Sequence, residues 1–100
     1  MGRLSGVWLL SVALLGTVAA GSEIDHDEAR RLRQTGGILP LTEILNTART
    51  THPGRVIEVE LERERGRYIY EIELLDVDGQ VWELKFDGAS GDLLEKELED

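Results

Sequence analysis

The sequence predicts an α+β domain in which N-terminal helices pack on one face of a three- to four-stranded antiparallel meander. Three observations carry this expectation. The apolar period shifts from about 3.6 residues to about 2 near Arg55. Short segments ending in glycine, Arg63 to Gly66 and Val77 to Gly79, separate the alternating runs at hairpin length. Each run is strongly apolar on one face only, the pattern of an antiparallel sheet covered on one side.

The elements follow in order. Met1-Gly2-Arg3 gives a short positive start, a largely apolar run extends from Leu4 to Val18, and Val18-Ala19-Ala20 places small residues where a signal peptidase cuts. Residues 1–20 are therefore expected to be a signal peptide cleaved after Ala20. The alternative is an uncleaved membrane anchor, but a run of about 15 apolar residues falls short of the roughly 20 that cross a bilayer. The mature product is expected in the periplasm or outside the cell, with no stable membrane anchor.

Residues 21–37 form an N-terminal helical segment. Ser22 stands as a capping-type residue three positions before Asp25; Asp25, Asp27 and Glu28 then crowd the first turn, where carboxylates suit the positive end of a helix dipole. A helix from about Asp25 to Gln34 carries only a narrow stripe of Ile24, Ala29 and Leu32, and Gly36-Gly37 ends it. Residues 38–98 make up the main domain. Its helix begins near Pro40 and presents Leu41, Ile44, Leu45 and Ala48 on one face, stopping at Thr50-Thr51-His52-Pro53-Gly54.

Three strands follow. Ile57, Val59 and Leu61 alternate with Glu58, Glu60 and Glu62; Tyr68, Tyr70, Ile72 and Leu74 alternate with Arg67, Ile69, Glu71, Glu73 and Leu75; Trp82, Leu84 and Phe86 alternate with Val81, Glu83, Lys85 and Asp87. Setting Leu74, Ile72 and Tyr70 against Trp82, Leu84 and Phe86 brings Asp76 opposite Gln80 across a Val77-Asp78-Gly79 loop. Setting Leu61, Val59 and Ile57 against Tyr68, Tyr70 and Ile72 brings Glu62 opposite Arg67 across a four-residue loop, Arg63 to Gly66. Leu93 to Leu98 either pairs as a fourth strand or lies loosely at the end.

Composition bounds the function. Lys and Arg number 11 against 20 Asp and Glu, a net charge of −9; without the leader and its one charge, Arg3, the balance is −10. Such a surface repels phosphate backbones and anionic lipid, which argues against nucleic acid and leaves cationic surfaces, peptides or metal ions as counterparts, with simple solubility as the plain alternative. The absence of cysteine excludes disulfides and a lipid-modified cysteine. A disulfide-free exported domain fits a bacterial periplasm better than an animal secretory pathway.

The chemistry of an enzyme is missing. There is no Cys, no Ser in a nucleophile elbow, and His26 and His52 belong to no HExxH pattern, so no catalytic, cofactor or metal residue is assigned. Asp76-Val77-Asp78-Gly79 resembles the opening of a calcium loop but lacks its ligand series, and tight-turn chemistry accounts for it. His26 beside Asp25, Asp27 and Glu28 is either a weak metal site or, more simply, helix N-terminal electrostatics. Tyr68, Tyr70, Trp82 and Phe86 on one face read as core aromatics in preference to a stacking platform. The opposite face is where a partner is expected. Glu58, Glu60, Ile69, Glu71, Glu73, Leu75 and Glu83 are its candidate contact residues, with Ile69, Leu75 and Val81 as an apolar centre rimmed by carboxylates.

Taken as an ordered set, Ile38-Leu39-Pro40-Leu41-Thr42-Glu43-Ile44-Leu45, His52 to Glu62, Gly66-Arg67-Tyr68-Ile69-Tyr70-Glu71-Ile72-Glu73-Leu74-Leu75, Asp78-Gly79 and Phe86-Asp87-Gly88-Ala89-Ser90-Gly91-Asp92-Leu93-Leu94 resemble a PepSY domain. The departure is Gly88, where the family commonly has Ala. The resemblance implies a domain found in propeptides of secreted thermolysin-like metallopeptidases, where it inhibits the enzyme, and in stand-alone exported bacterial proteins that restrain peptidases or serve signalling systems. It carries no catalytic residue. With no peptidase domain within these residues, it implies a protein partner, a peptidase acted on in trans; a sensor or accessory component that binds cations or cationic peptides is the alternative.

Overall fold

The computed structural model describes residues 22–99. The expected signal peptide and its cleavage point after Ala20 lie outside the described residues. The elements run β1 (Ser22–Glu23), α1 (His26–Gln34), α2 (Leu41–Thr51), β2 (Arg55–Glu64), β3 (Arg67–Leu75), β4 (Val81–Asp87) and β5 (Leu93–Glu99). All five strands join one antiparallel sheet in the order β1-β2-β3-β4-β5. The fold is thus α+β as expected, with five strands where three to four were expected.

Two segments make up the difference. Leu93–Glu99 pairs with β4 along its length and is a full strand. Ser22–Glu23, read from sequence as the lead into a helix cap, pairs with Arg63 and Glu62 of β2. A two-residue strand is too short to show a period of 2, so alternation cannot reveal it. The cap itself is Asp25, whose Oδ1 accepts from the Glu28 backbone N–H at 2.9 Å.

The β3–β4 register is the expected one, Leu74 to Trp82, Ile72 to Leu84 and Tyr70 to Phe86. The β2–β3 register is not. Leu61 faces Tyr70, Val59 faces Ile72, and Glu64 faces Arg67 across the two-residue turn Arg65-Gly66. Both turn residues have positive φ, 52° and 78°, as a type I′ turn demands. Arginine is a poor advertisement for that turn, which is why a four-residue loop is the natural reading of the sequence. Because the shift is two residues, every side chain keeps its face. A bulge between Val56 and Glu58 then turns Val56 inward and leaves Ile57 46 % exposed.

The inner face builds the core. Tyr70, Ile72, Leu74, Leu84 and Phe86 are each at most 1 % exposed and pack with Ile44 and Ala48 of α2, with Ile38 and with Ala29 of α1. The Tyr70 hydroxyl donates to the Leu39 carbonyl at 2.8 Å, so the ring is buried with its polar end satisfied. The segment before α2 is tied to the sheet by Leu39 N–H to the Gly88 carbonyl at 2.8 Å, while Gly88 N–H donates to the Tyr68 carbonyl at 2.7 Å. A Cβ at residue 88 would lie 3.0 Å from that Tyr68 carbonyl and 3.2 Å from Ile38, which suits glycine to the position. Among the described residues no helix is long and apolar enough to cross a membrane.

Candidate functional site

Strand alternation sends every second residue of β2 to β5 away from the helices, and the observed register arranges them in rows across the sheet. One row is Glu58, Glu73, Glu83 and Glu97; the next is Glu60, Glu71, Lys85 and Glu95. The register expected from the sequence, with Glu62 opposite Arg67, would set Glu58 opposite Glu71. The actual pairs are Glu58 with Glu73 and Glu60 with Glu71, so like charges stand opposite each other more often than expected, at a cost of roughly 0.2 to 1 kcal/mol each. Glu71 opposite Lys85 and Glu73 opposite Glu83 stand as expected.

This row structure also redraws the expected apolar centre. Ile69 lies at one end, beside Glu62 and Asp87, and is only 3 % exposed; Leu75 and Val81 face each other at the opposite end. The outer face is therefore a carboxylate band flanked by apolar residues, not an apolar centre with a carboxylate rim. Of the candidate contact residues, Glu58, Glu60, Glu71, Glu73 and Glu83 form the band, whereas Ile69 and Leu75 sit at its two ends.

The crowding alters the protonation of the band. Partial burial first, then hydrogen bonding with Glu64 and Glu60, raises Glu62 to about 7. Burial, hydrogen bonding with Glu83 and the nearby Glu62 and Glu83 charges raise Glu71 to about 9. Lys85 opposes this rise only in part, because its Nζ stands 3.8 Å from Glu71 Oε2, beyond hydrogen-bond length, and 3.7 Å from Glu64 Oε2. Burial alone would lower the Lys85 ammonium, yet the surrounding carboxylates hold it above its ordinary value. At neutral pH the band thus keeps a proton at Glu71 and carries less charge than a formal count gives.

Two triads, Glu60–Glu62–Glu71 and Glu73–Glu83–Glu99, each bring one carboxylate oxygen per residue within 4.8 Å of the others. Oxygen donors at that separation suit a hard cation. The sequence reading sets Glu62 and Lys85 on this face without counting them as contact residues, and it passes over the β5 residues Glu95, Glu97 and Glu99. The signal for the last three was their own alternation with Lys96 and Leu98, once Leu93–Glu99 is taken as a strand.

At the Ile69 end, a hollow of about 350 Å³ opens between Glu64, Arg65 and Arg67 of the β2–β3 turn region and Leu94 and Glu95 of β5, over Ile69 and Lys85. Leu94 reaches this side because the chain bulges where β5 passes Lys85 and Phe86.

The other sequence candidates have structural duties. Asp76 Oδ1 accepts from the backbone N–H groups of Asp78 and Gln80, both at 2.9 Å, and Oδ2 accepts from the Trp82 indole at 2.8 Å. Those bonds, the Gln80 amide foremost, hold its carboxyl below the usual range. His52 stands 3.5 Å from Asp76 Oδ2, with its ring 4.6 Å from that of Trp82, which joins the end of α2 to the β3–β4 turn. The loop is turn chemistry, as expected. Tyr70 and Phe86 are core residues, whereas Tyr68 and Trp82 are only partly buried.

The family model described as PepSY, peptidase propeptide and YPEB domain, matches residues 38–97. No curated protein and no solved structure matches the chain.

Proposed function

Because the chain belongs to the PepSY family, we propose that it is a small exported binding module that inhibits or regulates a peptidase in trans, acting through the outer face of its sheet. The single observation behind this reading is the carboxylate band. The rows Glu58-Glu73-Glu83-Glu97 and Glu60-Glu71-Lys85-Glu95 accumulate acid on a face that the core does not need. A description naming peptidase propeptides and an acidic face together favour a protein with a cationic surface as the target. The chain works by occupying that surface, with no bond made or broken. The leader-like residues 1–20 support export as the route to such a target.

The test is inhibition. Peptidases secreted by the source cells are assayed with the purified chain and with the variant Glu58→Gln/Glu60→Gln/Glu73→Gln/Glu83→Gln. The expected result is inhibition by the first and at least tenfold weaker inhibition by the second, whose melting temperature should be no lower, since the substitutions relieve like-charge pairs. Absence of inhibition, or equal inhibition by both, contradicts the proposal.

A second reading is favoured by the two carboxylate triads. In it the chain is an exported sensor or accessory protein that binds cations or cationic peptides for a signalling partner. A calcium or copper titration that raises the melting temperature supports it, since a ligand that binds only the folded chain stabilises it.

A further inference from the structure

The two edges of the sheet are unlike. On the β2 side, Ser22–Glu23 pairs with Arg63 and Glu62, Ile24 N–H donates to the Leu61 carbonyl at 2.8 Å, and a bulge interrupts the strand at Val56 to Glu58. On the other side β5 is the last strand, and among the described residues nothing pairs with its far edge. All seven of its residues are exposed. From Glu95 to Glu99 it pairs with β4 without irregularity, so it offers a straight row of backbone donors and acceptors.

We propose that this edge takes an extended cationic segment of a partner protein as a sixth strand, with Lys or Arg at alternate positions. The inference rests on the reading of the chain as a binding module and names the chemistry of what it binds. Glu95, Glu97 and Glu99 stand opposite Lys85, Glu83 and Val81 and therefore project from the outer face, spaced by roughly 7 Å. An added strand sets its own side chains beside them at the same spacing, so every second residue meets a carboxylate. The residues between fall on the inner side, beside Leu98, which is 40 % exposed, and Lys96, whose Nζ lies 5.3 Å from the centre of the Trp82 ring. Apolar side chains suit that side. Main-chain hydrogen bonds supply the attachment and the alternation supplies the choice of partner.

Charge also decides against a second copy as the occupant. Two β5 strands paired antiparallel about a two-fold axis keep outer face beside outer face, so glutamates meet glutamates.

The probe is a labelled octapeptide of alternating lysine and valine, compared with its glutamate–valine counterpart and with an isomer carrying the same lysines in one block. Binding to the full chain is followed by fluorescence anisotropy, and amide exchange in β5 by NMR. The expected result is at least tenfold tighter binding of the alternating lysine peptide than of the blocked isomer. Exchange at alternate β5 amides should slow at least tenfold. The variant Glu95→Lys/Glu97→Lys/Glu99→Lys should switch the preference to the glutamate–valine peptide; should that variant fail to fold, Glu97→Lys alone should weaken lysine-peptide binding at least threefold. Equal binding of both lysine isomers without β5 protection overturns the proposal, as does self-association through β5 in sedimentation. Inhibition of a peptidase that survives the lysine variant but not the outer-face glutamine variant removes the edge proposal and leaves the peptidase reading standing.

Discussion

Along β3 and β4, adjacent residues serve opposite purposes. Tyr70, Ile72, Leu74, Leu84 and Phe86 are almost wholly out of water, while their neighbours Glu71, Glu73, Glu83 and Lys85 crowd charge onto the other face. The inner face holds the domain together by burial, which is worth roughly 1.5 to 3 kcal/mol per large side chain. The outer face contributes little of that, and its like-charge pairs oppose folding. A small domain tolerates such repulsion only when stability is concentrated elsewhere, and a surface released from packing can be shaped by a partner.

The largest expected effect breaks the inner face. Phe86→Ala removes a fully buried ring and should cost about 3 to 5 kcal/mol in denaturant unfolding. Equal stability of variant and parent would place the core elsewhere. Next comes Gly54→Ala, where the new Cβ would lie 2.5 Å from the Leu75 carbonyl and 3.0 Å from Leu74 Cδ2. Backbone cannot yield as a side-chain tip does, so a loss of about 1 to 3 kcal/mol is expected in the same assay.

The outer face should respond with the opposite sign. Glu71 and Glu62 keep protons when folded up to about 9 and about 7, whereas the unfolded chain releases them near 4.5. The folded state binds more protons across that interval, so stability falls as pH rises through it. Asp76 and Asp87 act the other way. Their carboxyls lie below the ordinary 3.8, chiefly through backbone N–H groups, and the stability they give is lost as pH drops below that value. Melting temperature should therefore peak in mildly acidic solution. Glu71→Gln should stabilise the chain by about 1 kcal/mol at pH 9 and flatten the alkaline slope; a destabilised variant would show that the band assists folding. The smallest effect sharpens the contrast. Arg30→Ala, which breaks an exposed 3.9 Å pair with Asp27, should change stability by less than about 0.5 kcal/mol.

How much of this was legible in the sequence follows the same division. Alternation fixes a side chain's face whatever the register, so the core residues and the acidic composition of the outer face were readable from Glu58 to Asp87, whereas the bulge before Glu58 put Val56 on the inner side in place of the expected Ile57. Register depends on the turn. Asp76 to Gln80 announces itself through Asp and Gly, and that hairpin closed as read. Arg65-Gly66 hides a type I′ turn behind an arginine at positive φ, and with it the pairing of Glu58 with Glu73 and Glu60 with Glu71. The bulge at Leu93-Leu94 likewise obscured how Leu94 reaches the hollow over Ile69.

The most direct test of the whole account is an amide-exchange footprint of the chain bound to a peptidase it inhibits. Protection gained by Glu58, Glu60, Glu71, Glu73, Glu83 and the β5 residues, with α1 and α2 unchanged, is the predicted result. Protection confined to α1 and the cleft that Ile24, Ala29 and Leu41 share with Tyr70 would contradict it.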